Sequence, residues 1–128
     1  MKIEIEIKPF IEMRYPTFGD YYYKPDGTLK FVIADSGNPF YNKMVLIHEL
    51  IEQALLEYRG VANEEIDQFD FMFEEERLKG IHDSTAEPGF DIRAPYKNEH
   101  ALATGVEMSM CALAGIAWKQ YENDLNEM

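Results

Sequence analysis

The chain has 128 residues, and its 46% hydrophobic and 13% aromatic content argues for one globular domain over residues 1–128 rather than a disordered protein. Its single cysteine, Cys111, excludes an internal disulfide framework. With 24 acidic and 12 basic residues the formal net charge is −12, so phosphate groups would repel the chain and nucleic-acid binding is not expected. The acidic surplus suits solubility, cation binding or occupation of a basic partner.

Three strands are predicted at the start of the chain. Isoleucines alternate with charged residues over Ile3–Lys8, which is typical of a half-buried strand. Tyr21–Lys24 and Thr28–Asp35 flank the turn sequence Pro25-Asp26-Gly27, and we expect these two segments to form a hairpin. No stretch has the apolar core of a signal peptide or the length of a membrane span, so we expect a soluble, cytoplasmic protein.

Helices are predicted in the rest of the chain. The first runs from about Asn42 to Arg59, and Gly60 is its expected stop. Apolar residues at helical spacing predict its buried stripe, which consists of Ile47, Leu50, Ile51, Ala54, Leu55 and Tyr58. A short helix is expected between Gly60 and Gly80.

The last third of the chain contains a loop and a further helix. His82–Tyr96 is rich in Pro, Gly, Asp and Ser, which predicts an ordered surface loop, and a long final helix is expected from about Asn98 to Tyr121. Because the strands precede the helices, the order predicts an α+β fold: a small antiparallel N-terminal sheet followed by two long packed helices.

The first long helix carries the sequence His48-Glu49-Leu50-Ile51-Glu52 in its middle. Residues four apart share a helix face, so His48 and Glu52 lie together, whereas Glu49 points roughly 100° away from His48. Apolar neighbours flank the pair on the same side. An imidazole and a carboxylate in such surroundings need a partner, and a metal ion satisfies both.

The final helix offers a matching face. Small and polar residues follow helical spacing along one stripe, made of His100, Ala103, Thr104, Glu107, Cys111, Ala114 and Trp118. If this stripe packs on the first helix, His100 joins His48 and Glu52, and two histidines and a carboxylate hold the metal with one position left for water. Glu49 would then be the general base that activates this water.

These residues resemble a known family. The sequence His48 to Glu52 is similar to the helix motif H-E-x-x-H of the zincin metallopeptidases, whose second residue is the general base. In the gluzincin branch a later helix supplies a glutamate ligand. Here Glu52 stands in place of the second histidine and His100 in place of the later glutamate, so the chain resembles a minimal gluzincin, and also short uncharacterised zincin-like proteins of bacteriophages and prophages. The resemblance implies zinc, or another divalent transition metal, and hydrolysis of a peptide or protein substrate.

Other roles stay open around this site. Glu107 could be a fourth ligand, an acceptor that orients a histidine, or a buried carboxylate bonded to Tyr or Arg. The loop could cover the site and bring Arg93 and Tyr96 to a developing oxyanion, or simply close the start of the final helix. A lone loop histidine such as His82 is usually exposed, and we leave it outside the predicted site.

Two other functions fit parts of the sequence. Glu49 and Glu52 form E-x-x-E, the spacing with which all-helical nucleotide pyrophosphatases hold magnesium, but no second acidic motif follows and the strands argue against a helical bundle. An acidic, non-enzymatic interaction protein, of phage type or a degenerate zincin, is the stronger alternative and accounts for the net charge of −12. It leaves the arrangement of His48, Glu52 and His100 unexplained.

Overall fold

The computed structural model describes residues 1–128 and confirms an α+β fold, with a small sheet at the N-terminus and helices after it. The strands are β1 (Ile3–Lys8), β2 (Gly19–Tyr23) and β3 (Leu29–Ala34), and the helices are α1 (Pro39–Arg59), α2 (Asn63–Leu78), α3 (Lys97–Ala114) and α4 (Trp118–Asn126). Short 3-10 turns occupy Phe10–Glu12 and Pro88–Phe90.

The sheet is mixed, with the order β1-β3-β2. The predicted hairpin is confirmed, because β2 runs antiparallel to β3 with Tyr21 opposite Phe31. The expectation of a purely antiparallel sheet is wrong, because β1 pairs with β3 in parallel and places Ile5 beside Phe31. The physical reason is the composition of β3, whose apolar side chains are buried on both faces of the sheet and therefore take its centre.

The segment after β1 allows this order. It crosses the outer face of the sheet, where Phe10 and Met13 pack on Val32 and Ala34 of β3. This crossing carries the chain from one edge of the sheet to the other. The opposite face of the sheet is left for the helices, which pack against Phe31 and Ile33.

Helix α1 begins and ends at residues with clear capping chemistry. The Asn38 side chain accepts hydrogen bonds from the backbone N–H groups of Phe40 and Tyr41, and Pro39 occupies the first turn, so the helix starts earlier than predicted. Gly60 ends it as expected, with a φ of 79° that favours glycine.

The buried face of α1 differs from the predicted stripe. Tyr58 is 94% exposed, Leu50 43% and Leu55 38%. The buried face instead consists of Tyr41, Asn42, Met44, Val45, His48, Glu52, Gln53 and Leu56. The prediction is wrong because α1 is covered on two sides, by the sheet and by α3, and these sides include the polar positions.

The predicted final helix is two helices. α3 ends before Gly115, whose φ of 73° is left-handed, and α4 starts at Trp118 after a bend of 115° between the axes. Ala114 is therefore exposed rather than part of a buried stripe, whereas Cys111 is buried as expected. The bend turns α4 back so that Tyr121 packs beside Cys111 in the core.

The remaining helix, α2, is longer than expected and buries Phe69 and Phe73 against the sheet side of the core. Its Arg77 donates hydrogen bonds to backbone carbonyls of the following loop, which includes the predicted segment 82–96. No individual helix is both long and apolar enough to cross a membrane, although α3 and α4 counted together across their 115° bend meet the length and composition.

Candidate metal centre

Three buried side chains meet between α1 and α3. His48 and Glu52 lie one turn apart on α1, and His100 lies in the first turn of α3. Glu52 Oε1 is 2.8 Å from His48 Nε2 and 2.7 Å from His100 Nδ1, and the two nitrogens are 3.1 Å apart. The three residues are between 5% and 9% exposed. This group could hold a metal ion.

The donor atoms suit a small transition metal. Ligand atoms about 2.0–2.1 Å from a tetrahedral zinc lie roughly 3.3 Å apart, so the observed spacings need to open by about half an ångström. Two imidazole nitrogens and one carboxylate oxygen leave a fourth tetrahedral position free. The chemistry and spacing of His48, Glu52 and His100 therefore fit zinc or a similar ion.

Charge holds the three side chains together. Burial alone would lower the pKa of His48, but hydrogen bonds to Glu107 and Glu52 outweigh burial and raise that pKa to about 11. Burial likewise opposes the charged form of His100, whereas Glu52 and Glu87 raise its pKa to about 9. In the absence of a metal, the two imidazoles are therefore protonated partners of the carboxylates at neutral pH.

The two glutamates of the motif have opposite electrostatic surroundings. Burial favours the neutral form of Glu52, but hydrogen bonds from His100 and His48 are stronger and lower its pKa. For Glu49, loss of solvent and then repulsion from Glu52 raise the pKa well above its ordinary value. A carboxylate with a raised pKa beside a cleft is suited to accept and return a proton.

Glu49 is directed by the sheet. A Cβ on Gly19 of β2 would lie 2.6 Å from Glu49 Cγ and 2.7 Å from its Oε1, so only glycine leaves room for this side chain. Glu49 lines the same cleft as His48, Glu52 and His100, and the volume of this cleft is about 930 Å³. The predicted base thus lies next to the candidate ligands.

Glu107 lies on the far side of His48 from Glu52. One of its oxygens contacts His48 Nδ1, and the other accepts a hydrogen bond of 2.5 Å from the Tyr121 hydroxyl. Because Nδ1 and Nε2 are at different sides of the ring, Glu107 orients the imidazole and is not among the donor atoms that converge. Of the three open roles, the geometry favours the orienting acceptor.

His100 is held from its outer side by the loop. Its Nε2 lies 3.2 Å from Glu87 Oε2, and the ring of Phe90 packs edge-on against it at 4.8 Å. A Cβ on Gly89 would lie 2.5 Å from His100 Nδ1 and Cδ2, so this glycine allows the loop to approach the imidazole.

Two predicted loop residues do not reach the donor atoms. Arg93 is bound to Asp91 and Glu76 at the surface, because those carboxylates offer it several charge-assisted hydrogen bonds. Tyr96 lines the cleft, but its hydroxyl donates to Asp70 at 2.5 Å. Of the two roles open for this loop, steadying an oxyanion is therefore contradicted for Arg93 and without support for Tyr96.

His82 remains outside the centre, as the sequence suggested. Its ring stacks on Phe73 at 4.1 Å, and its Nε2 lies 3.0 Å from Glu76 Oε1. It is only partly exposed rather than free on the surface.

Several residues at the site escaped the sequence analysis. They are Gly19 of β2, Glu87 and Gly89 of the loop before α3, and Tyr121 of α4; these three segments have no spacing that links them to α1. The only local pattern that could have indicated one of them is Pro88-Gly89, a turn sequence whose glycine allows the backbone to lie close to another group.

No protein family, curated protein or solved structure was found to match the chain.

Proposed function

We propose that this protein is a metal-dependent hydrolase of the metallopeptidase type, with zinc or another divalent transition metal bound by His48, Glu52 and His100. The observation that carries the proposal is the convergence of three donor atoms within 3.1 Å of one another, in a buried position that opens to a cleft. The zincin-like motif of α1 supports the same function, because Glu49 follows the first ligand as in that family.

The reaction uses Glu49 as the proton carrier. A bound metal would supply a Lewis acid that polarises the substrate carbonyl and acidifies a water molecule. Glu49 accepts a proton from the attacking water as the carbon–oxygen bond forms, and returns it to the leaving nitrogen as the carbon–nitrogen bond breaks. Burial and then repulsion from Glu52 raise the pKa of Glu49, which makes its carboxylate a stronger proton acceptor than an exposed glutamate.

The other residues hold the ligands in position. Glu107 accepts a hydrogen bond from the Tyr121 hydroxyl and contacts Nδ1 of His48, so that Nε2 of His48 is directed at Glu52 and His100. Glu87 does the same from the opposite side of His100, whose Nδ1 then faces Glu52. Such partners fix the tautomer and orientation of a ligating histidine.

Metal analysis tests the proposal. After dialysis the untagged protein should contain about one transition-metal ion per chain, and His48→Ala and His100→Ala should each lose it. Glu49→Gln should keep the metal and abolish hydrolysis of a denatured protein substrate. His82→Ala is the matched control, since it removes the third histidine without touching the centre.

Two results would contradict this function. A wild-type protein that binds no zinc, cobalt or manganese at neutral pH has no metal centre of this kind. A Glu49→Gln variant that hydrolyses the substrate as fast as wild type would exclude Glu49 as the base.

A second candidate is a non-enzymatic acidic interaction protein, and one observation favours it. His48, Glu52 and Glu107 satisfy one another by hydrogen bonds, so the group can also serve as a closed ionic core without any metal. Metal-free wild-type protein that co-purifies with a basic partner would support this candidate. The magnesium pyrophosphatase alternative has less support, since the fold contains a sheet rather than a helical bundle.

A further inference from the structure

The cleft beside the candidate centre has a strong excess of negative charge. Four aspartates and five glutamates line it, against one arginine and one lysine, Arg77 and Lys119. A cleft lined by one sign of charge concentrates ligands of the opposite sign. The walls therefore favour a cationic ligand, although an acidic lining alone does not locate a site.

Asp70, on α2, marks a specific place in this lining. It is 6% exposed, and its two oxygens accept hydrogen bonds from the hydroxyls of Tyr96, at 2.5 Å, and Tyr15, at 3.0 Å. Both donors are neutral, and no lysine, arginine or histidine pairs with Asp70. A buried carboxylate is usually paired with a cationic side chain, as Asp20 is with Arg14 at 2.5 Å. Asp70 is thus a buried carboxylate without a counter-charge.

A second, independent feature lies in the same cleft. Tyr21 of β2 is 8% exposed, and its hydroxyl is buried without any hydrogen-bond partner. Tyr21 lines the same cleft as Asp70, Glu49 and Glu52. Buried hydroxyls are normally paired, so the free oxygen of Tyr21 points to a missing polar ligand.

We propose that Asp70 and Tyr21 form a subsite for the cationic group of the substrate, an ammonium or guanidinium. Such a group carries several N–H donors, so it can donate to the Asp70 carboxylate and to the Tyr21 oxygen together while its charge neutralises Asp70. Tyr15 and Tyr96 position Asp70. The subsite adds a substrate class to the proposed function. It rests on that function only in assuming that a bond of the bound substrate is cleaved, because binding of the cation itself needs no metal.

The substrate class that follows is a peptide or amide with a positive charge near the bond that is cleaved. The charge has two possible sources, an N-terminal α-ammonium or a basic side chain. Both offer the same chemistry to Asp70 and differ in the distance from the charge to the reactive carbonyl.

The first experiment uses metal-free protein and two probes of equal chain length, hexylamine and hexanol, titrated by NMR at pH 8. We expect hexylammonium to bind at least about tenfold more tightly than hexanol. Asp70→Asn should remove this preference and leave hexanol binding unchanged, and Tyr21→Phe should weaken amine binding several-fold. Asp67→Asn is the matched control, since Asp67 lies on the same helix and is already paired with Arg14 at 2.9 Å.

Two outcomes overturn the subsite. One is equal affinity of wild type for hexylamine and hexanol. The other is amine binding that is unchanged in Asp70→Asn or in Tyr21→Phe, so that one folded variant is enough for the test.

The second experiment identifies the source of the charge and separates this inference from the proposed function. Cobalt-loaded protein is titrated with caprohydroxamic acid, its α-amino derivative and its ε-amino derivative, and the visible spectrum of cobalt reports binding. Tighter binding of the α-amino or the ε-amino compound assigns the charge to an N-terminus or to a side chain. If cobalt does not bind but the amine preference persists, the metal function fails and the subsite stands; equal binding of all three compounds overturns the subsite alone.

Discussion

Among single residues, two glycines make room for side chains of the candidate centre. Gly19 allows Glu49 to pass over β2, and Gly89 allows the loop to press on His100. Both positions have ordinary backbone angles, so the requirement is for space rather than for conformation. A methyl group at either position would have to displace a side chain of the candidate centre.

Substitution of Gly89 tests this requirement. In Gly89→Ala the new Cβ would lie 2.5 Å from His100 Nδ1, so the imidazole must move away from Glu52. We expect metal affinity to fall by about 10- to 100-fold, the size of effect that displaced partners of metal ligands produce. Competition with a chromogenic chelator measures the affinity.

The control is a glycine on the helix that carries His100. Gly105 lies on α3, and a Cβ there would meet nothing within 4 Å. Gly105→Ala should therefore retain full metal affinity and stabilise α3 by about 0.5–1 kcal/mol. Wild-type affinity in Gly89→Ala would show that the loop does not hold His100.

At the scale of elements, α1 is the part that organises the site, because it packs on both the sheet and α3. One side of the helix directs Glu49 to β2, and the adjacent side presents His48 and Glu52 to α3. Of the predicted stripe, Ile47 and Ile51 are half-buried, and the exposed members are Leu50, Ala54, Leu55 and Tyr58. Leu56, only 1% exposed, belongs to the side that packs on Phe31 and Phe73.

A neighbouring pair of leucines tests which face is buried. Leu56→Ala should lower the free energy of unfolding by about 2–5 kcal/mol, because it leaves a cavity in the core. Leu55→Ala removes a side chain that is 38% exposed and should cost less than about 1 kcal/mol. Urea denaturation of both variants measures the difference. Equal losses would mean that the predicted stripe is buried in solution after all.

At the scale of the whole molecule, burial of charge makes stability depend on pH. Burial, opposed by hydrogen bonds from Tyr96 and Tyr15, raises the pKa of Asp70 to about 7, compared with about 3.9 in an unfolded chain. Between these values the folded state binds more protons than the unfolded state, so stability falls as pH rises. His48 and His100, with pKa values raised to about 11 and about 9, stabilise the metal-free protein below pH 6.5 and lose this contribution at higher pH.

We therefore expect the metal-free protein to be more stable at pH 5 than at pH 8, with Asp70 contributing on the order of 2–4 kcal/mol to the difference. Asp70→Asn should flatten the fall between pH 4 and pH 7, because an amide does not ionise, whereas Asp67→Asn should not. Unfolding in urea across this pH range gives both curves. A wild-type curve that rises from pH 5 to pH 7 would contradict the raised pKa of Asp70.

Much of the local structure was predictable from neighbouring residues. Pro25-Asp26-Gly27 predicted the hairpin, and Gly60 predicted the end of α1. The four-residue spacing predicted that His48 and Glu52 share one face of the helix. These features depend on steric and hydrogen-bonding preferences that operate within a few residues. The small residues around His100 also predicted a helix that α1 could approach closely.

Short-range geometry therefore governs the α+β class, the turns and the pairing of groups within one helix, and these features can be read from neighbouring residues. Long-range packing, in contrast, places β1 parallel to β3, brings Glu107 to the Nδ1 side of His48, and buries Asp70 without a counter-charge. Those outcomes depend on which of several apolar faces becomes covered when distant segments pack together. That choice reflects the burial free energy of the whole chain, which no local pattern contains.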